Sequence, residues 1–283
     1  MLDVYQSCYG LTEQPFRLSP DSRFSFGHPS YDNAKAYLKY AVSEGEGFVV
    51  ITGAPGTGKT TLIHSLLSEL DSERVQVATL TDVQLEESEL PVRVLEAFGL
   101  EQDGQRSPSS QLKARLQANA GKGCRSILIV DEAQGLSESA LEELRLLANL
   151  QQGSRLLMQV FLVGQEPLRE KVRAPGMEQL HQRVIAAAQL EPLTLEEMTA
   201  YIEHRLGKVG WQGDPAFSQD ALQLIHKFSS GVPRRVNLIC HRLFLHAGLQ
   251  DRHRLEGQDA LHVIVELHKE GLLVPVSRRA MER

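Results

Sequence analysis

Cysteine is scarce and dispersed in this 283-residue chain: only Cys8, Cys124 and Cys240 occur. The number is odd and no C-x-x-C spacing appears, which argues against a disulfide framework and against a thiolate zinc site, and points to reduced thiols in the cytoplasm. Long apolar runs are missing too. The longest, FVVIT at 48–52 and SILIV at 126–130, have the length of buried strands and fall far short of the roughly 20 residues that span a membrane. Any membrane role is therefore expected to run through partners, without direct insertion. The opening MLDVYQSCYGLTEQPF has no basic start followed by an apolar stretch, so no signal peptide is expected. A basic excess is absent as well. The formal net charge is −6, which suits a soluble chain and makes DNA the less favoured partner, because neutralising phosphates requires a basic surface. There is no internal repeat and no low-complexity tract.

What is present is an ordinary globular balance, with 42% hydrophobic and 23% charged residues, enough to bury a sizeable core. Residues 1–30 carry Pro15, Pro20 and Pro29, which block continuous helix and predict an ordered lead-in with turns. Strand and helix patterns then alternate. Helical spacing covers Tyr31–Ser43, Lys59–Leu70, Glu89–Phe98, Gln111–Ala120 and Glu138–Leu150. Strand patterns fall at Phe48–Thr52, Val75–Leu80, Ile127–Val130, Leu156–Val163 and, as a short last strand, Gln189–Leu193. Such alternation argues for an α/β fold with a mostly parallel sheet covered by helices on both faces. From Thr194 the texture becomes all-helical. Thr194 with Glu197 three residues on makes a capping-box pattern, and further helices are expected near 218–228, 233–248 and 257–269. The expected organisation is an α/β domain at 1–193 that includes the lead-in, a small helical domain at 194–272 and a polar, basic tail at 273–283.

Between the first strand and its helix lies GAPGTGKT, Gly53–Thr60. This is a phosphate-binding loop in the context that gives the motif meaning: a buried strand before it and a helix after it. Gly53, Gly56 and Gly58, with Ala54, Pro55 and Thr57 between them, leave room for backbone N–H groups to wrap phosphates. The helix N-terminus, which also includes Thr61, adds partial positive charge. Lys59 is expected to reach the β- and γ-phosphates of ATP, and the Thr60 hydroxyl to ligate Mg2+. The bland reading is a glycine turn that merely joins strand to helix. About 70 residues further on, ILIVDE ends a second buried strand. Asp131 is expected to hold the magnesium and Glu132 to polarise the attacking water. A hydrophobic run followed by Asp-Glu is common by itself; the phosphate loop upstream makes it informative and argues for hydrolysis.

The opening YGLTEQPFRLSPDSRF, then EGEGFVVITGAPGTGKTTL, ILIVDEAQ, FLVGQEPLRE, LHQRV and SSGVPRRVN together resemble the AAA+ ATPases of the ExeA/GspA general-secretion group, in family order and over nearly the whole chain. That group includes ATPases of pilus biogenesis and of an exosortase-linked exopolysaccharide system, and is more distantly similar to transposition ATPases such as MuB and TnsC. The resemblance implies that Gln165 acts as a first sensor near the γ-phosphate. It implies that Arg183 is an arginine finger reaching a neighbouring subunit's nucleotide, with Arg169 and Arg173 as rivals. It also implies that Arg234 is a second sensor on the helical lid, with Arg235 adjacent. Two departures stand out. Relatives often carry Asn at the end of the second strand, where this chain has Thr81, which puts the usual switch acting on Glu132 in doubt. The longer secretion members also continue into a membrane helix and a peptidoglycan-binding region, so the chain's end at 283 favours the shorter pilus-type or exopolysaccharide-type relatives.

Other features weigh less. The histidines form no metal spacing. DRHR at 251–254 and SRRAMER at the end read first as solvated charge. Tyr9, Phe16, Phe24 and Phe26 either surround an adenine or pack the lead-in onto a core. The leading expectation is an ATP-dependent homo-oligomer that hydrolyses ATP at a subunit interface and drives a protein partner in a cell-envelope secretion, pilus or exopolysaccharide system. The alternatives are a DNA-binding regulator of the transposition type and a nucleotide-gated scaffold with little turnover.

Overall fold

The computed structural model describes residues 7–19, 21–71, 73–81 and 85–273. The expectations for Pro20 and for the tail beyond Leu273 lie outside the described residues. The chain forms two compact units. One comprises residues 29–54 and 62–190; the other takes the described residues of 1–28, 55–61 and 191–283.

The first unit opens with helix α1 (Pro29–Glu44), whose Tyr31, Ala34, Leu38, Ala41 and Val42 are buried. Gly45 and Gly47, both at positive φ, end it and turn the chain into strand β1 (Phe48–Gly53). Helix α2 (Lys59–Leu67), which belongs to this unit from residue 62 onward, follows, then β2 (Val75–Leu80), α3 (Leu90–Ala97), α4 (Pro108–Gly121) and β3 (Arg125–Val130). After a short turn come α5 (Glu138–Ala148), β4 (Gln159–Gly164), α6 (Glu166–Val172), α7 (Glu178–His181) and β5 (Val184–Leu190).

The five strands form one parallel sheet in the order β2-β3-β4-β1-β5. Side chains alternate across a strand, so β1 feeds two cores. Phe48 and Val50 join Leu128, Val130, Val160 and Leu162 under helices α3 to α6. Val49 and Ile51 join Ile127, Ile129, Phe161 and Val163 against α1 and α2. The α/β sheet with helices on both faces is therefore as the alternating pattern predicts, and the apolar runs are its doubly covered strands.

Two strand boundaries differ from expectation. The run Leu156–Val163 is not one strand: Arg155–Leu156 pairs antiparallel with Gln151–Gln152, and β4 starts only at Gln159. That buried side chain donates from Nε2 to the carbonyls of Ala41 at 2.8 Å and Glu46 at 3.1 Å. The last strand is Val184–Leu190, not Gln189–Leu193. Among the described residues it pairs with β1 alone, and it exposes alternate residues, so it lacks the continuous apolar signature of its neighbours. Helices α6 and α7 lie where no helix was expected; both are shorter than the periodicity that a sequence pattern needs.

The second unit contains α8 (Leu195–Gly207), α9 (Gln219–Ser229), α10 (Pro233–Leu249) and α11 (Gly257–Lys269). The capping box forms as its spacing predicts: Thr194 Oγ1 accepts the Glu197 N–H at 3.2 Å, and Glu197 Oε2 accepts the Thr194 N–H at 2.8 Å. The texture is not purely helical, because Ala216–Phe217 pairs in parallel with Arg254–Leu255. Tyr9, Leu11, Phe16 and Phe24 of the lead-in are buried in this unit's core with Met198, Ile202, Val236, Leu243 and Phe244. Arg205 ties them in. It is only 7% exposed, donates to the Pro15 carbonyl at 2.6 Å and the Tyr201 hydroxyl at 3.0 Å, and lies 4.6 Å over the Phe24 ring.

Candidate functional site

Parallel strands present all their carboxyl ends at one edge of a sheet, and in open α/β folds ligands bind outside that edge. Here the strand order lines up five chain positions along it: Thr81 after β2, Asp131 after β3, Gln165 after β4, Gly53 at the end of β1 and Gln189 near the end of β5. Asp131 is still tethered to the ladder, its N–H donating to the Leu80 carbonyl at 2.9 Å.

Glu132 departs from ordinary backbone geometry. Its φ of 51° and ψ of 34° are left-handed, a conformation costly for a residue with a Cβ and one often found at functional turns. Its exposed carboxylate is held by amides from two directions. Gln134 Nε2 donates to Glu132 Oε2 at 2.5 Å and Gln165 Nε2 donates to the same oxygen at 3.1 Å. The Glu132 N–H in turn donates to Asp131 Oδ1 at 2.9 Å. The two acidic residues and the first-sensor candidate thus converge. Thr81 lies one residue past β2 and is exposed.

In the other unit, Gly56 and Gly58 have φ of 86° and 101°, values that residues with a side chain rarely adopt. They lead into α2, where Lys59 is the first residue and is only 7% exposed. Thr57 is buried and Thr60 exposed. Gly56 also permits a close backbone approach. The Arg234 N–H donates to the Gly56 carbonyl at 3.3 Å, and a Cβ at Gly56 would stand 2.6 Å from the Arg234 Cβ. Arg234 is exposed in the first turn of α10, and Arg235 is half-buried, its guanidinium pushed below the usual arginine value by desolvation.

The three finger candidates separate. The Arg183 carbonyl accepts the N–H of Phe48, the first residue of β1, at 2.9 Å. Arg183 therefore stands at the amino edge of the sheet, a strand length of about 20 Å from the carboxyl edge, and its half-buried side chain makes no hydrogen bond or ion pair among the described residues. Arg169 and Arg173 instead line a cavity of about 180 Å³ with Thr52, His181 and Gln189, where Arg169 Nη1 donates to Gln189 Oε1. Two participants escaped the sequence reading. Gln134 and Lys171 are tied to the Glu132 turn, the lysine Nζ donating to the Gln134 carbonyl at 2.9 Å and the Leu136 carbonyl at 2.5 Å. The Gln of ILIVDEAQ was the visible signal for the first.

A family model described as an AAA domain matches residues 42–172. General secretion pathway protein A of Aeromonas hydrophila is 37% identical over 259 residues, covering 90% of this chain and 47% of that protein. The chain thus spans about half the length of this curated relative. Among solved structures, Cdc6p from Pyrobaculum aerophilum superposes with a TM-score of 0.67 at 16% identity over 93% of this chain and 74% of the other. The ORC2 protein of Aeropyrum pernix gives 0.61 at 15% identity, again over 93% and 74%. The Thermotoga maritima RuvB branch migration motor gives 0.51 at 18% identity, over 87% and 70%. At these identities the structural likeness speaks for the fold alone. No helix among the described residues is long and apolar enough to cross a membrane.

Proposed function

Because the chain belongs to the AAA+ ATPase family, we propose that it binds and hydrolyses ATP in a homo-oligomer whose sites are completed by a neighbouring copy. The observation that carries this reading is that one chain holds two geometries, each within its own unit. One is a loop with left-handed Gly56 and Gly58 running straight into the first turn of α2. The other is an Asp131–Glu132 turn at the carboxyl edge of the sheet, held by amide donors.

Each residue then has a task. The N–H groups of Gly53 to Thr61 and the start of α2 take the phosphates, an arrangement suited to anions because a helix N-terminus carries partial positive charge. Lys59 adds a point charge against the β- and γ-phosphates. The Thr60 hydroxyl and the Asp131 carboxylate are hard oxygen donors. Each is of the kind that would hold a magnesium ion, and such an ion would supply charge neutralisation on the phosphates when bound. Glu132 orients the attacking water and accepts its proton as the oxygen attacks the γ-phosphorus and the bond to the β-phosphate oxygen breaks, giving ADP and phosphate. Gln165 senses the γ-phosphate. Arg234, whose backbone already touches the phosphate loop, links nucleotide state to the helical unit. Arg183, a strand length from its own chain's carboxyl edge, serves the site of a neighbour.

The kinship to general secretion pathway protein A supports a place in a secretion system, with turnover driving a rearrangement of a protein partner; a pilus or exopolysaccharide assembly system is the neighbouring alternative. The test begins with two variants. Lys59→Ala is expected to lose ATP binding and turnover. Glu132→Gln is expected to keep binding and lose turnover by about 100-fold or more. Unchanged turnover in Lys59→Ala removes the site assignment. Tight ATP binding by a wild type that never turns over leaves a nucleotide-gated scaffold in place of an ATPase.

A further inference from the structure

The amide clip on Glu132 has a built geometry that the phosphate-site roles do not use. Gln134 sits two residues beyond Glu132 and donates to its Oε2 at 2.5 Å. With its other side-chain atom, Oε1, it accepts the backbone N–H of Gln165 at 3.0 Å. One side chain therefore joins the turn after β3 to the end of β4. The room for it is made by Gly164: a Cβ there would overlap Gln134 Oε1 and come within 2.9 Å of Leu168 Cδ2. Lys171 fixes the turn from below through the Gln134 and Leu136 carbonyls. Glutamate is a long side chain with free rotors, and a base that must meet a water in line with a phosphate loses rate steeply when misplaced by an ångström.

We propose that Gln134 is a positioning residue for Glu132, fixing the carboxylate beside Gln165 through its amide N–H. The inference rests on the ATPase reading above and deepens it by naming what aims the base. Gln134→Met keeps the length and removes both hydrogen bonds. It is expected to lower kcat by about 10- to 100-fold, while KM for ATP and the Kd of a fluorescent ATP analogue stay within about twofold of wild type and the melting temperature stays close. Gln134→Glu keeps the acceptor for the Gln165 N–H and loses the donor to Glu132. If the donor is what matters, it is as slow as Gln134→Met. A Gln134→Met enzyme with wild-type kcat overturns the proposal, as does a loss confined to KM. So does a Gln134→Glu enzyme at wild-type rate, which would leave only the structural half of the clip. Failure of the underlying reading shows elsewhere, as a wild type without turnover or a Glu132→Gln variant at full rate, and it takes this inference with it.

Discussion

At the scale of single residues, the strongest constraints come from backbone that has nowhere to go. Gly231 adopts φ of 68°, its carbonyl accepts the Leu193 N–H at 2.9 Å, and a Cβ there would overlap the Leu193 carbonyl oxygen. Neither partner is a flexible side-chain end, so Gly231→Ala must move main chain just ahead of Pro233 and Arg234. It is expected to cost about 2–4 kcal/mol, read as a lowered midpoint in urea unfolding. A wild-type midpoint would show that the turn relaxes freely. Cys240 offers a second check. It is fully buried, and desolvation pushes its thiol well above the usual value, so little thiolate forms at neutral pH. Alkylation of the native chain followed by mass spectrometry is expected to leave Cys240 unmodified while the partly exposed Cys8 and Cys124 react.

At the scale of elements, the helical unit depends on a buried polar tie and on neutral histidines. Arg205 joins α8 to the lead-in through the Pro15 carbonyl, the Tyr201 hydroxyl and the Phe24 ring; Tyr201 continues to Asn237 Oδ1 at 2.9 Å. Arg205→Met keeps the stem and strands the buried acceptors. An unsatisfied buried polar group costs about 1–3 kcal/mol, so the melting temperature is expected to fall by several degrees, and an unchanged value would mean the tie is dispensable. His204, His241 and His246 are each held below the ordinary histidine value, first by desolvation and then by Lys208, Arg242 and His262 respectively. The sign follows from linkage. Groups protonated more readily in the unfolded chain contribute full stability above the unfolded value of 6.5. That stability is lost as pH falls below 6.5 toward the depressed folded values, because the unfolded chain takes up more protons there. A thermal unfolding series from about pH 7.5 to about pH 5.5 is expected to show a falling midpoint, and one that rises on acidification would contradict it.

At the scale of the whole molecule, the role proposed for Arg183 would make the site a property of an assembly. Lys59→Ala and Arg183→Ala are each expected to be inactive alone, the second by about a thousandfold if the arginine acts as a finger. Mixed in equal amounts, they are expected to regain turnover, because a Lys59→Ala subunit still lends its arginine to an Arg183→Ala neighbour. No recovery would move the finger to Arg169 or Arg173, or remove the shared site. Specific turnover of the wild type is expected to climb with protein concentration and to ignore duplex DNA, in keeping with a net charge of −6. A rate that stays flat and low until DNA is added would favour the transposition-type alternative.

Much of this was written in the residue order. The sheet class follows from apolar β-branched runs alternating with amphipathic helices, since a strand covered on both faces must be apolar throughout. The loop Gly53–Thr60 and the pair Asp131–Glu132 are readable as candidates because the proposed phosphate and water chemistry would demand those residue types at those places. Thr194 and Glu197 announce their helix for the same reason. Other facts depend on distant segments meeting, and no spacing encodes them. The edge strand Val184–Leu190 shows only half of its faces to a core, so its pattern is weak until β1 is laid beside it. Whether Tyr9, Phe16 and Phe24 meet a nucleotide or a protein core is a question of which surface lies opposite, and the helical core is where they are buried. The two amides on Glu132 come from residues two and 33 positions away, and only the parallel neighbourhood of β3 and β4 brings the second within a hydrogen bond. Sequence fixes what each residue is able to do; the strand order decides which of them do it together, because hydrogen bonds and packing act over a few ångströms of space and not along the chain.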